Sequence, residues 1–400
     1  MTDRPPPLAG VTVVDLTQIY NGPYATYMMA MAGAQVIKVE PLGGEHLRRR
    51  GAVGGAALPF AMLNGNKRAV TLNLKTAQGR ELLIAMVRRA DIVVENFAPG
   101  TMERLGLGWD VLSAANSRLI YGASSGFGRS GPNRDYPAMD LTVQAMSGIM
   151  SITGFSDRPP VKAGPAIADF SAGIHLYAAI TTALYEREKT GIGRLVEVSM
   201  QDAVYATLSS SLGLMFDSAE GEIPSRTGNR HSGLAESPYN VYPTRDGYVA
   251  IICVGEAHWQ SLIGLMGRLD LNDDSRFTTL KSRVAHMDLV DEIVGGWTAG
   301  WDKQALFELL IGNHVPCAPV RDLLEVVNDP HMHARGALQR IDHPELGPIT
   351  VQRSPLRFEG SAPTELTPSA LLGADNGWAY GEWLGLSAET IATLQDEGVI

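Results

Sequence analysis

The chain has 400 residues, 45% hydrophobic and 19% charged, an ordinary balance for a globular protein long enough to hold a large core and two or more domains. A formal net charge of −10 argues against a general nucleic-acid binder, and no apolar run reaches the length of a membrane span. Its two cysteines, Cys253 and Cys317, supply no disulfide framework, which suits a reducing cytoplasm.

The opening Met1-Thr2-Asp3-Arg4-Pro5-Pro6-Pro7 has no apolar core and reads as a short disordered lead, not a signal peptide. Residues 11–16 are β-branched and apolar and predict a buried strand. Asn21-Gly22-Pro23 breaks it, Pro23 suits the first turn of a helix over 24–32, and Gly33 ends that helix. A second strand at 34–40 completes a βαβ unit. The alternation continues with strands at 69–73, 91–96, 119–124 and 195–199 and helices at 76–89 and 109–115. Such a pattern predicts a mostly parallel sheet covered on both faces, with ligands bound beyond the carboxyl ends of its strands. Ile19, Tyr20, Lys38, residues 72–75, Asn96, Phe97 and residues 124–128 fall at those ends. The basic residues Lys38, Arg48, Arg49, Arg50, Lys67, Arg68, Lys75 and Arg104 gather in the same part of the chain, which predicts either a local pocket for a polyanion or a solvated basic surface.

Two glycine motifs lead nowhere by themselves. Gly126-Phe127-Gly128-Arg129-Ser130-Gly131 fits the dinucleotide pattern, but Pro132 follows and no helix opens to hold a pyrophosphate. Gly122-Ala123-Ser124-Ser125-Gly126 fits a nucleophile elbow, yet the same glycines and Pro132 forbid the helix that would lift its serine. The plainer reading is a loop whose backbone approaches a ligand or another chain closely.

Residues 140–153 predict one helix rich in Met and small residues. The segment 161–173 then delivers a single carboxylate, Asp169, where a loop becomes a helix. Free N–H groups and the positive end of the helix dipole at such a junction stabilise negative charge. The alternative for Asp169 is a plain N-cap. A helix starts at Met200 and runs toward Phe216, and residues 218–237 read as a linker or mobile loop. The pattern then changes to a hairpin with an Asp246-Gly247 turn and helices at 258–267, 287–298 and 303–313, which predict a smaller α+β domain. A strand near 349–351 and a helix capped by Ser387 follow. Asp329, His331 and His333 lack metal-ligand spacing and read as surface residues, so no metal site is predicted.

Several segments, in shared order and spacing, resemble the class III coenzyme A transferase family (CaiB/BaiF type, formyl-CoA transferase-like). They are Pro7-Leu8-Ala9-Gly10-Val11 leading to Asp15 and Gly22-Pro23; Gly33 to Glu40; Asn66-Lys67-Arg68; Leu72-Asn73-Leu74-Lys75; Val94-Glu95-Asn96-Phe97 with Pro99-Gly100; Gly126 to Pro132; Asp169; Lys189-Thr190-Gly191; and Met200-Gln201-Asp202-Ala203. The resemblance implies an α/β fold with a Rossmann-like large domain built from both chain ends, 1–225 and 331–400, a small α+β domain at 226–330, and two chains threaded into an interlocked homodimer. It implies a cytoplasmic acyl-CoA:carboxylate CoA-transferase with no permanently bound cofactor, acting on an acyl-CoA and a small carboxylic acid. Asp169 matches the family's nucleophile, which forms a mixed anhydride and then an aspartyl-CoA thioester. Tyr20, Lys38, Leu72, Asn73, Lys75, Asn96, Phe97 and Arg104 match its CoA contacts, with Phe97 against adenine or in the core. An acyl-CoA racemase on the same fold is the alternative. Relatives of that branch place a histidine where this chain has Met139, so the second acid/base is missing and transfer is favoured. Tyr20, Met139 and residues 231–236 also depart from the formyl-CoA transferase branch and point away from oxalate as acceptor, and Arg230, His231, Arg48 and Arg49 are candidates for an acceptor carboxylate.

Overall fold

The computed structural model describes residues 4–50, 57–218 and 226–400. Residues 1–3 of the predicted lead and 219–225 of the predicted linker lie outside them. The chain divides into two compact units. The first holds the segments up to Val143, Pro165–Val204 and Val327–Ile400; the second holds Gln144–Gly164 and Tyr205–Val326.

The first unit is built on six strands, β1 (Thr12–Asp15), β2 (Gln35–Glu40), β3 (Lys67–Thr71), β4 (Ile92–Glu95), β5 (Ile120–Ser125) and β6 (Leu195–Ser199). Every neighbouring pair is parallel and the order is β3-β2-β1-β4-β5-β6. This is the doubly wound order, with its reversal between β1 and β4. The strands are apolar almost throughout because both faces are covered. Alternate residues feed two cores: Val13, Val36, Ile92 and Val94 meet Ala25, Met29, Leu176 and Ile180, while Val14, Ile37 and Val93 meet Leu83, Met86, Tyr380 and Leu394. Each such large side chain, fully buried, contributes about 1.5–3 kcal/mol.

Strand β3 is an edge, and the C-terminal segment closes it with side chains in place of a strand. Ala69 N–H donates to Asp375 Oδ2 at 2.8 Å, Thr71 N–H to Asn376 Oδ1 at 2.9 Å, and Tyr380 O–H to Thr71 O at 2.6 Å.

The second unit carries an antiparallel sheet of β7 (Tyr239–Thr244), β8 (Gly247–Ile252) and β9 (Cys317–Pro319). Trp259, Leu262, Phe277, Val290, Val294 and Leu306 form its core. In the first unit, β10 (Leu338–His343) and β11 (Gly347–Gln352) pair as a further hairpin, of which only the second strand carried a sequence signal.

Local geometry corrects several expectations. Gly148, at φ +90°, splits the predicted 140–153 helix into Asp140–Met146 and Ile149–Ile152. A tight turn at Ala206–Leu208 separates helix Met200–Tyr205 from Ser209–Asp217. The β7–β8 turn is Arg245-Asp246, one residue earlier than expected, because Thr244 pairs with Gly247. Helix Ile167–Thr190, at 24 residues, is long and apolar enough to cross a membrane by length and composition, although the sequence has no uninterrupted apolar run of that length. It lies on the sheet through Leu176, Ile180 and Ala183.

Candidate active site

Asp169 is the third residue of helix Ile167–Thr190, so it lies inside the first turn and is not the N-cap. That turn starts at Ala166, which has no side chain to cap it. The capping is done instead by Asp140, whose Oδ1 accepts the N–H groups of Ala168 at 2.9 Å and Asp169 at 3.3 Å. Asp169 itself is buried, at 8% exposure. Burial first, and then the nearby charge of Asp140, push its carboxyl up to about 7. Two of the N–H groups at this helix start serve Asp140 and not the Asp169 carboxyl, which is poised between its protonated and ionised forms at neutral pH.

Asp169 lines a cavity of about 510 Å³ in the first unit, beside the switch point of the sheet. Its walls come from the loop after β1 (Gln18, Ile19) and the start of helix Asn21–Met31 (Asn21), the loop after β4 (Asn96 to Pro99) and Arg104 at the end of helix Thr101–Arg104, the end of β5 (Ser124 to Gly126), residues 134–139 and Met200. The β1 loop is strained. Ile19 adopts φ +67°, a region a β-branched residue enters at a cost of roughly 1–2 kcal/mol. Asn96 holds the loop there through reciprocal hydrogen bonds with Gln18: Gln18 N–H to Asn96 Oδ1 at 2.9 Å and Asn96 Nδ2–H to Gln18 O at 2.8 Å. Ile19 N–H is in turn accepted by Glu45 Oε2 at 3.3 Å. Helix Ile167–Thr190 comes up against the start of helix Asn21–Met31, just after this loop, because position 173 is glycine; a Cβ there would stand 2.6 Å from Asn21 O.

Of the residues singled out in the sequence, Asp169, Ile19, Asn96, Phe97, Arg104, Met139 and residues 124–126 share this cavity. Tyr20 stacks on Phe170, the neighbour of Asp169, with ring centroids 5.9 Å apart. Lys38, Leu72, Asn73 and Lys75 are not among the cavity's lining residues. Lys75 is exposed. Asn73 donates through Nδ2 to Gly398 O at 3.1 Å and accepts from Lys75 N–H at 3.1 Å. Leu72 is 2% exposed in the core, and Lys38, 1% exposed, donates to Thr17 O.

The basic cluster is thus only partly a surface. Lys38 pairs in register with Asp15 on β1. Lys67 Nζ donates to Asp15 Oδ2 at 3.1 Å, Thr26 Oγ1 at 2.8 Å, Asn64 Oδ1 at 2.9 Å and Pro23 O at 3.0 Å. Burial works to raise Asp15, but the charges of Lys38 and Lys67 and the hydroxyls of Thr17 and Thr26 outweigh it and hold the carboxyl down at about 2. Burial pulls Lys67 down to about 8 against the pull of Asp15. Arg48 grips Glu40 through two hydrogen bonds of 3.0 and 2.9 Å, and Arg68 pairs with Asp375 and lies over Trp378. In the second unit, Arg230 is held by Asp288 and Asp291. Arg48 and Arg230, candidates for an acceptor carboxylate, are already engaged by carboxylates of their own.

Sequence reasoning placed Ile19 at a strand end and noted Asp140, but missed the strain at Ile19, the capping role of Asp140 and the role of Gln18. A signal for Asp140 existed, since it opens a predicted helix, but its partner lies 29 residues on. At the His331 segment, Asp329 caps helix Pro330–Ala334 and His333 Nε2 lies 2.9 Å from Val327 O. Among the described residues, no group of three His, Cys, Asp or Glu side chains is placed to hold a metal ion.

Comparison with known proteins gives the arrangement its context. The family model described as CoA-transferase family III matches residues 8–376. The chain is 37% identical to the formyl-CoA:oxalate CoA-transferase of Streptomyces avermitilis, over 98% of this chain and 99% of that one. It is 37% identical to the succinyl-CoA:mesaconate CoA-transferase of Haloarcula hispanica (89% and 91%) and to the succinate–glutarate CoA-transferase of Agrobacterium fabrum (91% and 94%). A crystal structure of a CaiB/BaiF family protein from Brucella suis superimposes with a TM-score of 0.82 at 33% identity, covering 95% of this chain and all of that one.

Proposed function

The chain belongs to CoA-transferase family III and is an acyl-CoA:carboxylate CoA-transferase, and from that premise we propose that Asp169 is its nucleophile. The observation that carries this reading is a buried carboxyl, poised near neutrality, in the wall of a cavity at the sheet's switch point. The ionised Asp169 attacks the thioester carbonyl of the donor; the C–S bond breaks, CoA leaves as thiolate, and a mixed anhydride remains. The thiolate then attacks the aspartyl carbonyl, releasing the donor acid with one oxygen from Asp169 and leaving an aspartyl-CoA thioester. The acceptor carboxylate attacks that thioester, and the thiolate returns to the acceptor's carbonyl, restoring Asp169 with one acceptor oxygen. No net proton is consumed. The low-polarity surroundings that raise Asp169 also make its ionised form a strong attacking group once substrate has displaced water.

In this reading Arg104 and Lys75 engage the CoA phosphates and Phe97 packs on the adenine. Tyr20, Lys38, Leu72, Asn73 and Asn96 contact the CoA or shape the strand ends it lies on. Relatives of equal identity are named for oxalate, mesaconate and glutarate, which are all dicarboxylates. We propose a small carboxylic acid of this class as acceptor, with Tyr20 and Met139 favouring one other than oxalate. Met139 offers no acid/base group beside Asp140, so racemisation is the lesser reading. The family resemblance also supports a cytoplasmic interlocked homodimer, with a Rossmann-like large domain from 1–225 and 331–400 and a small domain at 226–330.

The test is Asp169→Ala, assayed with a panel of acyl-CoA thioesters and free acids by mass spectrometry. Exchange should vanish while CoA binding stays within a few-fold of wild type. Undiminished turnover in the variant would refute the assignment.

A further inference from the structure

The glycine-rich loop after β5 has no role in the chemistry above, yet it sends one charged side chain to two glutamates next to residues of the cavity wall. Gly128, at φ +85°, turns the loop, and its N–H donates to Ser125 Oγ at 3.1 Å. The next residue, Arg129, is anchored through its backbone N–H to Glu197 Oε2 at 3.2 Å. Its guanidinium lies between two carboxylates: Nη2 donates to Glu103 Oε1 at 2.7 Å, and Nη1 stands 4.0 Å from Glu95 Oε1.

Those two glutamates bracket the segment that carries Asn96 and Phe97, and Arg104 directly follows the second. Glu95 is 6% exposed at the end of β4, and its Oε2 accepts the Phe97 N–H at 2.8 Å. Its Oε1 also accepts from Tyr121 O–H at 3.4 Å. Glu103 immediately precedes Arg104 on the short helix Thr101–Arg104. One guanidinium therefore ties both ends of the 95–103 stretch to the loop after β5.

We propose that Arg129 is a positioning residue for CoA-thioester binding, whose bridge between Glu95 and Glu103 fixes the 96–104 wall in the shape that receives the ligand. This rests on the reading of Asn96, Phe97 and Arg104 as CoA contacts. Burial outweighs the Phe97 N–H and Arg129, which act against it, and leaves Glu95 raised to about 7. Loss of the guanidinium therefore weakens the acceptor that orients Phe97, in addition to releasing Glu103. The arrangement is also one that Lys can mimic only in part, as a point charge in place of a planar fork.

The experiment compares wild type, Arg129→Gln and Arg129→Lys by calorimetric titration with CoA and by steady-state kinetics. For Arg129→Gln the Kd for CoA and the KM for the acyl-CoA should rise about tenfold, with kcat and the acceptor KM within about threefold. Arg129→Lys should recover most of the loss. An unchanged CoA Kd in Arg129→Gln overturns the proposal. So does an equal loss in both variants that lowers kcat and both KM values together, since that marks general structural damage. Should Arg129→Gln fail to fold, Glu103→Gln removes one arm of the bridge at a half-exposed site. A CoA Kd raised about threefold supports the proposal, and an unchanged Kd overturns it. Intact-mass analysis of wild type with acyl-CoA separates this from the nucleophile assignment. A missing Asp169 adduct counts against that chemistry and leaves the CoA affinity comparison valid.

Discussion

Asp140 caps the helix on which Asp169 stands, accepting the Asp169 N–H itself at 3.3 Å. A carboxylate at a helix N-terminus stabilises the helix, by about 0.3–1 kcal/mol through the dipole alone. The same negative charge opposes ionisation of a second carboxyl inside that first turn. Helix stability and the ionisation of Asp169 are thus set against each other by a single side chain.

Replacing Asp140 by Asn keeps an oxygen acceptor for the cap and removes the charge. Asp169 should then ionise at lower pH, because one of the two causes that raise it is gone. Only the ionised form attacks, so kcat/KM climbs as pH rises through the pKa of Asp169 in the free enzyme. The climb should sit near pH 7 in wild type and at distinctly lower pH in Asp140→Asn. A pH–rate profile checks this, and coincident acid limbs in the two proteins would contradict it.

The raised pKa of Asp169 has a cost in stability whose sign is fixed. Between the ordinary carboxylate value near 4 and about 7, the native state binds a proton that the unfolded state has released, so stability falls as pH rises across that window. The penalty is complete above pH 7 and amounts to at most about 4 kcal/mol, at roughly 1.4 kcal/mol per pH unit. Asp169→Asn should therefore be more stable than wild type in denaturant unfolding at pH 8, with the difference closing by pH 4. A variant less stable than wild type at pH 8 would show that Asp169 is a structural group.

Much of this architecture was legible in the chain. Six apolar runs such as Val13-Val14 and Val36-Ile37, separated by helices of the right length, announce a parallel sheet, and Ser387 caps its helix through the Thr390 N–H as its position suggests. The split at Gly148 was less legible, because a glycine within a helical pattern is a break only when tertiary packing makes it so. The basic cluster misled for a related reason. Charge counts along a sequence cannot separate a lysine that faces solvent from one such as Lys67 that neutralises a buried carboxylate 52 positions away. The capping role of Asp140 escaped notice because its partners are backbone N–H groups 28 and 29 residues on, and backbone carries no sequence signature.

That buried pair gives its own prediction. Lys67→Met leaves Asp15 in the core without one of its two cations and should cost about 3–5 kcal/mol. The double variant Asp15→Asn, Lys67→Met should recover part of that loss, because the uncompensated charge is gone. Denaturant midpoints of the two single variants and the double variant decide the matter. Strict additivity of the single losses would mean that the pair does not act as a unit.

The Asn96 clamp is testable through the strain it holds. Asn96→Ala frees Gln18, lets Ile19 leave φ +67° and should lower kcat/KM by about 10–100-fold. Glycine enters that backbone region without strain, so adding Ile19→Gly to Asn96→Ala should restore part of the activity. A double variant no better than Asn96→Ala would place the role of Asn96 in direct contact with the ligand instead.

The central claim is that an Asp169 oxygen joins the reaction covalently, and oxygen tracing reads it directly. Turnover with an acceptor acid labelled in its carboxylate with oxygen-18 should move label into the enzyme, and the peptide bearing Asp169 should gain mass in steps of 2 Da up to 4 Da. If product thioester accumulates over many turnovers while that peptide stays unlabelled, CoA passes between acids without bonding to Asp169, and the account is wrong.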